Sequence, residues 1–183
     1  MRFSENRVIA WIVFAACVIG SIFGLGGAGI AREQDKIIEV FYEGAKDRDA
    51  AHCMDAYLKR SGECAQIMAN EAELLIGSNG DVQDMLSAAA FIGSDDAMED
   101  RAAAYLQIRI LSDRLYNAVY SANISDSLKK NFKLAYDDFW GAARFIEKDP
   151  YHALAREYND GLSGLAGLAA KIYGAGELCD TFI

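Results

Sequence analysis

The residues from Val8 to Ala31 carry no charged side chain and are bracketed by Arg7 and Arg32. As one helix this run would reach about 36 Å, against roughly 30 Å for the hydrocarbon core of a bilayer, the excess being taken up by tilt. The run predicts a spanning segment. It divides the chain into an anchor over residues 1–31, a domain over 32–176 and an irregular tail over 177–183. The first expected partner is then the lipid bilayer, through residues 8–31, and the expected localisation is a single-pass protein of the cell membrane. A cleaved secretory signal is the rival reading, because Arg2 and Arg7 make a basic start and Gly29, Ile30 and Ala31 end in small residues. Cleavage would release an exported soluble bundle. The apolar part is longer than the usual signal core of about 7 to 15 residues, which favours the retained anchor.

Inside the run, GLGGAG from Gly24 to Gly29 has the Gly-x-Gly-x-x-Gly spacing of a dinucleotide-binding turn, and Asp47 and Asp49 lie at about the distance of a ribose-binding acid. The context excludes it. The preceding VIAWIVFAACVIGSIF is far longer than a typical strand of roughly 5 or 6 residues, and no later segments alternate helix with a Val/Ile-rich strand. No cofactor is expected. Ala16, Gly20, Gly24 and Ala28 instead recur every four residues, a small-residue stripe through which two membrane helices can approach closely. Self-association, or packing on other membrane proteins, follows as the expected partnership.

The formal net charge is −9, and since Arg2, Arg7 and Glu5 sum to +1, residues 32–183 carry −10. An anionic domain repels phosphate backbones, so nucleic acid is not an expected partner. Flanking charges leave sidedness open: the basic start suggests an N-inside orientation, while Arg32, Lys36, Lys46 and Arg48 slightly outnumber it on the other flank. Outside the run the cysteines are Cys53, Cys64 and Cys179, an odd set that implies no disulfide framework.

After the run, the composition is helix chemistry: one proline, one threonine, and abundant Ala, Leu, Glu, Asp, Lys and Arg. Apolar residues at three- and four-residue steps predict one long helix from about Gln34 to Ile76, stopping at Gly77 to Asp81. A short helix is expected over about 82–91, and a long one over about 96–122 with Ala102, Tyr105, Ile108, Leu111, Leu115 and Val119 inward. A last seam begins near Asn123 and runs through Leu128, Phe132, Ala135, Phe139, Ala142 and Ile146. It continues beyond Pro150 through Leu154, Tyr158, Leu162, Leu165, Ala169 and Ile172. Pro150 either kinks this helix or opens a new one capped by Asp149. The expected fold is all-α: an N-terminal transmembrane helix, then an antiparallel up-and-down bundle of three long helices and a short one, with coiled-coil-like seams.

Each histidine follows an aspartate by three, Asp49 with His52 and Asp149 with His152. Paired carboxylate-x-x-His helices hold metal ions in some bundles, so these four residues are the candidate metal ligands of an alternative, a metal-binding bundle enzyme. They are weak candidates, because the acid is Asp rather than Glu and Asp149 competes as a helix cap. Cys53 adjoins His52, but neighbours on a helix diverge by about 100° and do not form a nucleophile–base pair. No catalytic residues are assigned.

DAYLKR, Asp55 to Arg60, resembles the motif that opens the first long helix of the LemA family, and ALAREYND, Ala153 to Asp160, resembles that family's Ala-Arg-x-x-Tyr-Asn-Asp signature. Both stand in the family's order behind an N-terminal apolar segment, over roughly residues 35–165. The family's Leu-Ile-Pro-Asn is replaced by Cys64-Ala65-Gln66-Ile67, so the resemblance is to a divergent member. It implies a membrane-anchored helical bundle acting as a non-catalytic scaffold or partner-binding module, with no catalytic residues to carry across. The matched positions Asp55, Lys59, Arg60, Arg156, Tyr158 and Asn159 are expected to form a polar cluster between the first and last long helices.

Overall fold

Glycine, asparagine and proline decide where the helices stop. The structure is a computed structural model that describes residues 3–21, 24, 26–45, 52–93, 98–162, 165–172, 175, 178, 179 and 182, and every regular element among them is a helix. The first, α1, spans Phe3–Ser21, and α2 spans Gly27–Glu43. The described part of the apolar run is shared between these two helices. Among the described residues, no helix is long and apolar enough to cross a membrane.

The expected helix over 34–76 is likewise two. Gly44 takes a positive φ of 84° and its N–H donates to the Val40 carbonyl at 3.0 Å, a left-handed closure that only glycine adopts without strain. The next helix, α3, spans Met54–Ile76 and begins at Cys53, whose extended backbone and Sγ, accepting from the Ala56 N–H at 3.4 Å, make an N-cap. Its end is where the sequence puts it: Gly77 has φ 81° and donates to the Glu73 carbonyl at 2.9 Å. Asn79 Oδ1 then accepts from the Val82 N–H at 3.0 Å and starts α4, Gly80–Gly93.

Helix α5 spans Met98–Ser121 and α6 spans Lys130–Glu147. The α6 start falls later than Asn123-Ile-Ser-Asp suggests, because the Leu128 N–H closes a turn on the Ser125 carbonyl at 3.1 Å. Leu128 thus precedes α6 and is 61% exposed, and the buried seam begins at Phe132. Pro150 opens a new helix rather than kinking the old one: α7 spans Tyr151–Gly161, with Asp149 Oδ1 accepting from the Tyr151 N–H at 3.0 Å. The expected final seam is split again before α8, Leu165–Ile172, and Leu154 on α7 is partly exposed.

The chain divides into two units. One comprises Met1–Glu39 and Ala153–Cys179, and contains α1, α8 and most of α2 and α7. Its polar ties join the two stretches: Tyr158 Oη donates to Gln34 Oε1 at 3.0 Å, and the Asn159 amide donates to and accepts from the Cys179 backbone at 2.9 and 2.8 Å.

The other unit comprises Val40–His152 and Asp180–Ile183 and is a helical bundle of α3, α4, α5 and α6, in which α3 packs on each of the other three. Its core is the expected one for α5 and α6: Ala102, Tyr105, Ile108, Leu111, Leu115 and Val119 of α5, and Phe132, Ala135, Phe139, Ala142 and Ile146 of α6, are all buried. At the α3–α4 crossing Gly62 is buried, and a Cβ there would meet Ile92 Cγ2 at 3.1 Å. Between α5 and α6, Tyr116 lies against Tyr120 and Tyr136 with both ring centroids at 4.4 Å, and Arg109 pairs with Glu147 at 2.8 Å.

Candidate functional site

The most polar interior feature belongs to the α3–α6 unit and begins with Asp55, in the first turn of α3. Its Oδ1 accepts from Arg101 Nη2 at 2.6 Å, and its Oδ2 lies 2.9 Å from Lys59 Nζ one turn on. Arg101 is 2% exposed in the first turns of α5, with its guanidinium carbon 5.5 Å from the Phe41 ring centre. A buried charge is tolerated only when paired and hydrogen-bonded, and both partners here are. One donor is unspent: Arg101 Nε is buried without a hydrogen-bond partner among the described residues.

Aromatic rings close the surroundings. Phe41 lies 5.2 Å from Tyr151 and 5.8 Å from Phe182, and Phe182 also reaches Tyr105 and His152, each at 6.4 Å. Tyr151 Oη donates to Met98 Sδ at 3.0 Å. Burial pushes the Tyr105 phenol up to about 12, partly opposed by Arg109, so it stays protonated at neutral pH. Burial likewise pushes the Cys64 thiol up to about 11 against the opposing charge of Arg60, which makes it a packing residue rather than a nucleophile. None of the four cysteines is in a disulfide.

The sequence-derived candidates are distributed as follows. Asp49 lies outside the described residues. His52 is exposed, its ring 6.4 Å from that of Tyr57. Asp149 caps α7, and His152 is buried with Nε2 2.9 Å from the Ile146 carbonyl oxygen. Among the described residues, no group of three His, Cys, Asp or Glu side chains is placed to hold a metal ion. Of the small-residue stripe, Ala16 and Gly20 are exposed on α1, Gly24 is half-buried and Ala28 sits on α2. A Cβ on Gly20 or Gly24 would meet nothing within 4 Å.

The expected polar cluster falls into the two units. Asp55 and Lys59 pair with each other, and Arg60 reaches Glu63 at 3.4 Å and Asp138 at 3.0 Å. Tyr158 and Asn159 bond to Gln34 and Cys179, and Arg156 is exposed. Arg101 and Phe182 were not among the candidates. A signal for Arg101 exists in the sequence: positions 101, 105, 108, 112, 115 and 119 alternate steps of four and three, which puts a cation on the buried seam. Phe182 has no such signal, since nothing periodic surrounds it.

No family model, no curated protein and no solved structure matches this chain.

Proposed function

We propose that the protein is a membrane-tethered helical bundle of LemA type that serves as a non-catalytic scaffold or partner-binding module, with residues 8–31 as the tether. The observation that carries this reading is the surface of α1. Residues 11–21 are exposed on every side, among them Trp11 at 69%, Ile12 at 63% and Phe14 at 60%. A helix apolar all round is stable only where something apolar surrounds it, and lipid fits a face that has no polar side at all. Ala16 and Gly20, open on that surface, are the residues through which two tethers would approach.

The likeness of DAYLKR and ALAREYND to LemA-type bundles supports the same reading. Their residues have structural uses: Asp55 holds Arg101, Leu58 and Ala155 are fully buried, and Asn159 clasps the Cys179 backbone. With Asp55 and Arg101 paired to one another in its interior, the bundle is assigned a binding role rather than a chemical one.

The test is fractionation of the full-length chain. Wild type should stay in the membrane pellet through a carbonate wash and leave with detergent. Ile12→Asp with Phe14→Asp and Ile19→Asp should move it to the aqueous fraction. Recovery of unclipped wild type in the aqueous fraction would refute the tether.

A further inference from the structure

The outer edge of the α3–α6 seam carries a row of exposed apolar side chains in a definite order. Three contacts set the register of these two antiparallel helices: Tyr57 stacks on Phe145 at 4.9 Å, Arg60 meets Asp138 at 3.0 Å, and the Asn131 amide donates to Glu71 at 3.4 Å. The same register puts Ile67 level with Leu134 and, continued past the start of α6 into the turn before it, Leu74 level with Leu128. Leu74 is 80% exposed, and Phe145, Leu134 and Ile67 are 55%, 54% and 46% exposed. Single apolar residues on a surface are ordinary, whereas successive rungs along one seam mark an interaction face.

The rungs are self-complementary. From Tyr57 to Leu74 they run apolar, charged, apolar, charged, apolar, with Arg60 in one charged rung and Glu71 in the other. A two-fold axis lying in the face and crossing the two helices beside Ile67 lays the Tyr57–Phe145 rung of one copy over the Leu74–Leu128 rung of the other. It also lays Arg60 over Glu71, because positions 57 and 74 share their midpoint with positions 60 and 71. A patch that matches its own inverse is what a two-fold interface requires, since each residue must meet its counterpart twice.

We infer that this α3–α6 face docks a second copy of the chain about a two-fold axis near Ile67, with Arg60 of each copy facing Glu71 of the other. The face is about 25 Å long and two helices wide, on the order of 500 Å² per copy. A standard interface takes about 800 Å² from each partner, so the dimer is a weak, concentration-dependent one. The inference is independent of the tether, as none of these residues lies in α1 or α2.

The experiment uses the full-length chain, purified in detergent, in a Cys17→Ser background so that the remaining native thiols are the buried ones. Under mild oxidation, Ile67→Cys should give a disulfide-linked dimer that grows with protein concentration. Ile110→Cys, on the outward face of α5 and similarly exposed at 57%, should not. Adding Arg60→Glu or Glu71→Arg to Ile67→Cys should lower the dimer yield several-fold, and adding both should restore it. Circular dichroism melting confirms that each variant is folded, and where a charge reversal unfolds the chain, Arg60→Gln and Glu71→Gln replace it with the same expected loss. Equal crosslinking at Ile110→Cys, no dimer at Ile67→Cys, crosslinks only to a different polypeptide, or failure of the double reversal to restore the yield would each overturn the inference.

Discussion

Helix α1 and the α3–α6 bundle draw on the same apolar residues and use them in opposite ways. In the bundle, apolar positions recur at steps of three and four, so one face of each helix is buried, while Ile67, Leu74, Ile110, Leu134 and Phe145 stay on the exterior among the charges. In α1 the apolar residues are consecutive, so no rotation of the helix hides them, and residues 11–21 are exposed throughout. Periodicity therefore says where a helix finds its own cover, and its absence says that cover must come from outside the unit. A second contrast lies in polar groups: the bundle hides Asp55 and Arg101 in its interior, whereas the 11–21 stretch of α1 has no charge to place.

The comparison breaks most forcefully at the buried ion pair. Asp55→Ala leaves the Arg101 charge in the interior with no carboxylate, and should cost about 3 to 5 kcal/mol in urea unfolding. Replacing both residues with leucine should cost much less, and a double variant as unstable as Asp55→Ala would show that the pair does more than neutralise itself. Next in size, Phe182→Ala empties a fully buried ring position among Phe41, Tyr105, Tyr151 and His152, with an expected loss of about 3 kcal/mol. Gly62→Ala places a Cβ 3.1 Å from Ile92 Cγ2 but gains about 1 kcal/mol of helix propensity, so the melting temperature should change little, and a fall of many degrees would show that Ile92 cannot give way.

The thiol of Cys64 sharpens the picture through pH. Its folded-state value is raised above that of an unfolded cysteine, so its contribution to stability is full below about pH 8.5 and is lost as pH rises through about 11. Iodoacetamide should therefore label buried Cys64 at pH 8 only on unfolding. The smallest effect separates the two regions most directly. Phe14→Ser on α1 should change the unfolding free energy of the α3–α6 bundle by less than about 0.5 kcal/mol, whereas Phe139→Ser in α6, at a fully buried site, should lower it by about 3.

How much of this was legible follows from what each element depends on. The helix ends at Gly77 and Asn79, the cap at Asp149 and the inward faces of α5 and α6 rest on local backbone chemistry and on period, and both are visible in a string of letters. The break at Gly44 was visible too, but apolar spacing on either side outweighed it; a single left-handed residue sufficed to end the helix. The candidate site was read less well. Asp55 stands out in DAYLKR, yet its partner Arg101 is 46 positions away, and spacing along one helix carries no information about which helix faces it. Phe182 is buried by tertiary contacts alone.

Both units are built from two separated stretches, each interleaved with the other. The bond from Tyr158 to Gln34 spans 124 positions, and Phe182 meets Phe41 across a greater distance still. Ring closure over such lengths slows folding more than it weakens the folded state. As the polypeptide leaves the ribosome, Gln34 emerges long before Tyr158, and the aromatic centre lacks Phe182 until long after Phe41 has emerged. The nascent chain thus carries its greasiest helix while the second stretch of that helix's own unit is still unmade, which sets a premium on early capture of α1.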